Sequence, residues 1–313
     1  MKKIKIAVIL GPTASGKTAL GIEMAKRFGG EVVSADSMQI YEGMDISTAK
    51  PTIEEMDGIP HHLIGFLPRD RAFSVAEYVD LAGKVIKDIS DRGKLPIIVG
   101  GTGLYIDSLV ENIKFPDITS DEKVRERISN DIETLGVDAV FERLKECDPE
   151  TAAELHPNNK VRVIRALEVF ELTGRKLSDL KAESRLEPSP YDAVMIGLNC
   201  RDRQKLYDRI NKRVDIMVEN GLEAESREVY ESSDMKTAAN AIGYKELIPY
   251  FKNEADFSEC IDKIKQETRR YAKRQLTWFG KNAKIQWLML DEFDNKEKIF
   301  DYCEKAIAKH LIV

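Results

Sequence analysis

The sequence predicts an α/β fold, a parallel sheet flanked by helices, interrupted by an all-helical insertion. Three observations predict it. Continuous apolar runs alternate with segments of helical periodicity, as in parallel sheets whose strands are buried on both faces. The stretch "GPTASGKT", Gly11 to Thr18, stands between the first such run and the first helical segment. From about residue 116 to 185 the apolar runs give way to charged, helical sequence.

Taken in order, "IKIAVIL" is an unbroken apolar run and reads as a buried first strand. "MKKIKIAVIL" also has the look of a signal peptide, but its apolar run is too short and leads straight into the loop. "KTALGIEMAKRF" spaces Leu20, Met24 and Phe28 as one helix face. Strand, loop and helix in that order predict a P-loop NTPase-like core. "EVVSADS" is a second strand ending in polar residues. "SVAEYVDLAGKVIKDISDRG" is an amphipathic helix with Ser74 as N-cap and Gly93 as stop. "LPIIVGGTG" is a third strand that breaks into glycines. Residues 1–115 and 186–313 are assigned to the core and 116–185 to the insertion, with "EPSP" marking the return to "YDAVMIGLNC". "IQWLML" supplies a late strand. Two long helices remain. In "RDRQKLYDRINKRVDIMVENG", Leu206, Ile210, Val214 and Met217 form the buried stripe, while Arg209 and Arg213 share another face. In "DFSECIDKIKQETRRYAKRQLTWFG", Phe257, Ile261, Ile264, Thr268, Tyr271 and Gln275 form a stripe beside Arg269, Arg270, Lys273 and Arg274.

Composition narrows the function. The 313 residues are 42% hydrophobic and 33% charged, as in a soluble globular chain. A net charge of −6 excludes a globally basic nucleic-acid binder but leaves room for a local basic patch. Cys147, Cys200, Cys260 and Cys303 are far apart, which disfavours zinc and favours a reduced, cytoplasmic compartment. No apolar stretch approaches the ~20 residues of a membrane span. His61, His62, His156 and His310 lack metal-ligand spacing and are read as structural or surface residues.

The loop carries the clearest chemistry. Gly11 and Gly16 let the backbone curl so that several N–H groups, and the positive end of the following helix, face one anion. Lys17 adds a cation, and Thr18 can ligate Mg²⁺. A hydrolysing phosphate-loop protein holds its metal with an Asp at the end of a second apolar strand, yet "LPIIVGGTG" ends in glycines and a threonine. Asp36, closing "EVVSADS", is therefore read as a magnesium ligand, as a base for a nucleophile beside the phosphates, or as a turn residue. Thr102 of "GGTG" can donate to a phosphate oxygen, or it simply sits in a tight turn. Arg209 and Arg213 form an anion clamp or a solvated face. The cluster "TRRYAKRQ" and the stretch "KVRVIR", with Lys160, Arg162 and Arg165, read equally as nucleic-acid surfaces or exposed helix faces.

Collected together, these residues resemble one family, the tRNA dimethylallyltransferases (tRNA isopentenyltransferases) of bacterial type. The resemblance runs in order through "GPTASGKT", "SADSMQIYEGMDISTAKP", "VGGTGLY", "HPNNKVRVIRALEVF", "LYDRINKRVDIMVENGLEAE", "AIGYKEL" and "YAKRQLTWF". It implies transfer of a dimethylallyl group from dimethylallyl diphosphate to N6 of the adenosine at tRNA position 37. By position, Asp36 would be the general base, with Lys17, Thr102 and Arg213 completing the catalytic set. Gly11, Pro12, Thr13, Ala14, Ser15, Gly16, Lys17, Thr18 and Arg213 would hold the diphosphate. Asp36, Ser37, Met38, Gln39 and Thr102 would meet the target base or its neighbours. Arg125, Val161, Arg162, Val163, Ile164, Arg165, Arg270, Lys273 and Arg274 would contact the anticodon stem-loop. Mg²⁺ on Thr18 is the implied cofactor. The sequence leaves the oligomeric state open, with a monomer as the default expectation. Val161 stands where the family usually has glutamine and Ser47 where glycine is commoner. The Cys/His finger of eukaryotic relatives does not occur. Two other enzymes fit the loop, a small-molecule kinase and an adenylate isopentenyltransferase acting on free AMP or ADP. A tRNA-binding module with a relict loop is a third reading, opposed by the intact Lys17, Thr18 and Asp36.

Overall fold

The computed structural model describes residues 3–116, 118, 120–232 and 241–312. Chain contacts divide it into two compact units, Met1–Val110 with Ser189–Val313, and Glu111–Pro188.

The first unit is built on six parallel strands: β1 (Ile4–Leu10), β2 (Glu31–Ala35), β3 (His61–His62), β4 (Pro96–Gly100), β5 (Tyr191–Asn199) and β6 (Ile285–Met289). Their order across the sheet is β3-β2-β4-β1-β5-β6. The central β1 pairs in register with both β4 and β5, Val8 facing Ile98 on one side and Met195 on the other. Because side chains alternate across a strand, β1 sends Ile6, Val8 and Leu10 to one core and Ala7 and Ile9 to another. The helices of this unit that precede the second unit are α1 (Lys17–Phe28), α2 (Ile53–Met56), α3 (Val75–Asp91) and α4 (Gly103–Val110). One face of the sheet is covered by Tyr78, Ala82, Ile86 and Ile89 of α3 and by Ile106 and Leu109 of α4. The other is covered by Leu20, Met24 and Ala25 of α1 and by Cys303 and Ile307 near the C-terminus. The N-cap expected at Ser74 is present as a reciprocal pair with Glu77, whose carboxylate accepts the Ser74 N–H at 2.8 Å.

The second unit is all-helical: α5 (Glu122–Leu135), α6 (Val137–Cys147), α7 (Pro149–Glu154), α8 (Lys160–Thr173) and α9 (Leu177–Glu183). It has its own core, centred on Ile128, Val140, Leu144, Val163 and Ala166. Asp148 is fully buried there and accepts hydrogen bonds from the Thr151 and Ser178 side chains, joining α7 to α9.

The first unit resumes after β5 with α10 (Arg203–Glu219), α11 (Leu222–Glu231), α12 (Ile248–Phe251), α13 (Phe257–Phe279) and α14 (Lys296–Ile312). Leu206, Ile210 and Val214 of α10 are buried as the spacing predicts, with Met217 partly so. The four cysteines are unpaired.

Candidate active site

The loop Gly11–Thr18 joins β1 to α1 at the carboxyl end of the sheet, where ligands bind in open parallel sheets. Gly16 sits at the helix entry with φ +87, a left-handed conformation that side chains resist. A Cβ there would also stand 3.3 Å from the Arg209 guanidinium, so this cation of α10 lies against the loop. Ser15 is 2% exposed, and its hydroxyl is buried with no hydrogen-bond partner among the described residues.

One amide on α13 holds the loop in place. The Gln275 carbonyl accepts the Thr13 N–H at 2.9 Å, and its NH₂ donates to the Gly101 carbonyl at 2.9 Å. Gly101 has to be glycine for this approach, because a Cβ would collide with the Gln275 amide. Gly103 likewise admits the Trp278 ring. Gly101 and Gly103 of "GGTG" thus serve the seating of α13. Gln275 was legible only as one more position in a buried stripe, yet it is the residue that couples loop, strand and helix. The signal was a polar amide in that stripe.

Asp36 closes β2 and fills two roles at once. Its Oδ1 accepts the backbone N–H of Met38 at 2.9 Å and of Gln39 at 3.4 Å, a local turn. Asp36 also lines a cavity of about 270 Å³ together with Thr13, Lys17, Thr18, Arg213 and Tyr271. Ser37, Met38 and Gln39 line the same cavity, and Val214, Met217, Leu222 and Ile264 give it an apolar wall. The turn and the reactive reading of Asp36 are therefore compatible. Thr102 sits beside Ser37 and Tyr271 of this lining. Its hydroxyl accepts the Ser37 N–H at 3.0 Å and donates to Ser37 Oγ at 3.3 Å, and it also bonds with Tyr271. A diphosphate contact from Thr102 would have to replace one of these bonds.

Electrostatics set the cavity for an anion. Burial pushes the Lys17 ammonium down to about 8, against the pull of Asp36 and helped by Arg213. Burial also lowers Arg213, against the pull of Asp36 and Glu55. Two cations near each other in a partly desolvated site are poised for a ligand of high negative charge. A second cavity of about 530 Å³, lined by Ile46, Lys50, Glu55 and Ile216 among others, meets the first at Lys17, Thr18, Arg213 and Met217. No cluster of three or more His, Cys, Asp or Glu side chains suited to a metal occurs among the described residues. Mg²⁺ needs no such cluster, since it binds through one or two oxygens plus waters and substrate phosphates. The Thr18 hydroxyl and the Asp36 carboxylate, facing one cavity, fit that donor set.

The basic stretches divide. On α13, Arg270 pairs with Glu267 at 2.6 Å and Lys273 is exposed, while Arg274 lies over the Tyr271 ring and lines the cavity. In the helical unit, Arg125 and Arg165 both bond the buried Glu168 carboxylate, at 2.9 and 2.6 Å. Val161 and Arg162 are exposed, and Ile164 packs partly against the core. Val163 corrects one expectation: its side chain is fully buried, because every third or fourth position of α8 must feed that core. It cannot present a side chain to RNA.

Comparison with known proteins shows the family. Residues 39–282 match the model of the family described as IPP transferase. The tRNA dimethylallyltransferase of Caldanaerobacter subterraneus is 50% identical over 306 residues, covering 96% of this chain and 97% of the relative. Among solved structures, the full-length tRNA isopentenylpyrophosphate transferase of Bacillus halodurans superposes with a TM-score of 0.73 at 44% identity, over 98% of both chains. A eukaryotic dimethylallyltransferase acting on tRNA superposes with a TM-score of 0.81 at 30% identity, over 98% of this chain and 80% of the other. The chain belongs to the IPP transferase family.

Proposed function

We propose that this protein transfers a dimethylallyl group from dimethylallyl diphosphate to N6 of the adenosine at tRNA position 37, releasing diphosphate. The observation that carries this reading is the meeting of two cavities at Lys17, Thr18 and Arg213, with Asp36 facing one of them. A two-substrate transfer needs such an arrangement, with an anion cradle shared by a donor and an acceptor.

The chemistry follows from the side chains. An allylic diphosphate ionises when its leaving group is stabilised. Loop amides, Lys17 and Arg213 supply fixed positive charge where negative charge grows. Mg²⁺, held by Thr18 and within reach of Asp36, would add charge to the same phosphates when bound. The exocyclic amine of adenine is a poor nucleophile, and Asp36 accepts its proton as the new bond forms. A stacked anticodon-loop adenosine has to be extruded to reach the allyl carbon. Exposed cations on α13 (Arg270, Lys273 and Arg274) and on α8 (Arg162) then take the RNA backbone. No helix among the described residues is long and apolar enough to cross a membrane, and the reading places the protein with tRNA in the cytoplasm, acting as a monomer.

The test is mass spectrometry of nucleosides from unmodified tRNA incubated with the protein, Mg²⁺ and dimethylallyl diphosphate. Dimethylallyl-adenosine at position 37 is expected. Transfer of label from γ-phosphate ATP to an acceptor, with no alkylated tRNA, would replace this reading with a kinase. Alkylation of AMP but not tRNA would replace it with an adenylate prenyltransferase.

A further inference from the structure

Adjoining the main cavity is a much smaller one of about 20 Å³, whose lining includes Lys17, Thr18, Ser34, Asp36 and His61. Two residues of this lining, Ser34 and His61, each have a buried polar atom, Oγ and Nε2, with no hydrogen-bond partner among the described residues. Ser34 is only 4% exposed. Buried polar groups are almost always partnered, so two orphans facing one cavity point to something that satisfies both.

The state of the imidazole can be derived. His61 Nδ1 lies 2.8 Å from the Ile59 carbonyl oxygen. That oxygen only accepts, so Nδ1 carries the hydrogen and Nε2 of the neutral ring is a lone pair. Burial lowers the His61 pKa from its ordinary value, which favours the neutral ring. The lining thus offers an acceptor at Nε2, an acceptor at the Asp36 carboxylate and a hydroxyl at Ser34. A water needs roughly 10–15 Å³ and two to four polar partners, and the cavity has room for one.

We infer that His61 and Ser34 hold one ordered water against the Asp36 carboxylate. The water donates one hydrogen to His61 Nε2 and the other to Asp36, and accepts from the Ser34 hydroxyl. Among the described residues, the hydrogen bonds to Asp36 run through Oδ1, from two turn amides. The water fixes the plane of the carboxylate, so that the base meets the incoming amine in one orientation. His61 is then a positioning residue for the transfer, and its role rests on the function proposed above.

The experiment uses the whole chain with Mg²⁺, dimethylallyl diphosphate and unmodified tRNA, with the alkylation rate taken under single-turnover conditions and the KM values at steady state. His61→Leu is expected to slow alkylation roughly 10–100-fold, the range for partners that orient reactive groups. The KM values for both substrates and the melting temperature should stay near wild type. His61→Gln places an amide oxygen near the position of Nε2 and should recover most of the rate. Ser34→Ala should slow it several-fold, and it serves where His61→Leu fails to fold. A wild-type rate in His61→Leu, equal damage in the Gln variant, or a loss confined to KM would overturn the inference. A crystal structure of the whole chain gives an independent reading. It should show a water within about 3.2 Å of both His61 Nε2 and Asp36, and its absence at well-ordered density would end the proposal. Failure of the wild type to alkylate tRNA would instead count against the proposed function, with the crystal still deciding the water site.

Discussion

Two pairs of cations, one in each unit, are treated in opposite ways. In the helical unit, Arg125 and Arg165 are both spent on one fully buried carboxylate, Glu168. In the sheet unit, Lys17 and Arg213 form no close ion pair among the described residues, although Asp36 acts on both across the cavity. The first arrangement is self-satisfied and holds side chains in fixed places. The second leaves positive charge under-compensated, at a cost to the free protein that a diphosphate can relieve. The difference teaches that a cation built for a ligand is recognised by what it lacks, whereas a cation that frames a surface is recognised by what holds it.

The largest test of that contrast removes the carboxylate that acts on both of these cations. Asp36→Ala should lower turnover by roughly 10²–10⁴-fold, the range for a general base, with tRNA affinity little changed in a filter-binding assay. Unchanged turnover would remove Asp36 as the base. Next, Arg213→Ala should raise the KM for dimethylallyl diphosphate by about 10–100-fold, as expected for loss of a charge-assisted contact, and that for tRNA far less. Its melting temperature should hold or rise, because an uncompensated cation has gone. Equal effects on both KM values would break the clamp.

The third test is pH. Lys17, with its pKa pushed down to about 8 in the free protein, is charged below that value and neutral above it. Diphosphate binding should therefore be strongest below pH 8. Above it, affinity should fall by up to about tenfold per pH unit as a proton must be taken up with the ligand, until the bound-state pKa is reached. Isothermal titration in buffers of different ionisation enthalpy measures that uptake, and a flat profile from pH 7 to about 9.5 would remove Lys17 from the cradle. The smallest effect belongs to the helical unit. Arg125→Ala should cost roughly 1–3 kcal/mol of stability through its bond to Glu168, read by thermal melting. Arg162→Ala should leave stability alone, weaken tRNA binding a few-fold and reduce the salt slope by about one.

Much of this was legible beforehand because it is local. The long strands announce themselves as apolar runs, and α1, α3, α10 and α13 as stripes. Lys17, Thr18 and Asp36 follow strands or a loop whose order fixes where they meet. What escaped depends on contacts distant in sequence. Strand β3 is only His61–His62, too short for any periodicity, and it exists because Val32 and Val33 of β2 offer it an edge. Its first residue reads from the sequence as structural or surface, and only the fold brings it to a cavity with Asp36. Helix α14 was not singled out, and its place is set by the sheet face it covers through Cys303 and Ile307. Val163 was grouped with its neighbours by motif, and helix phase separates it from them.

The pairing of β1 bears on how the chain is made. Ile4 lies beside Tyr191 and Leu10 beside Gly197, so one flank of the middle strand stays open until the helical unit has emerged and β5 follows it. That unit rests on near neighbours in sequence and can order early, as low contact order allows. During synthesis the nascent sheet is therefore exposed for a long interval, and the second half of the polypeptide must arrive before the anion cradle has a rigid floor.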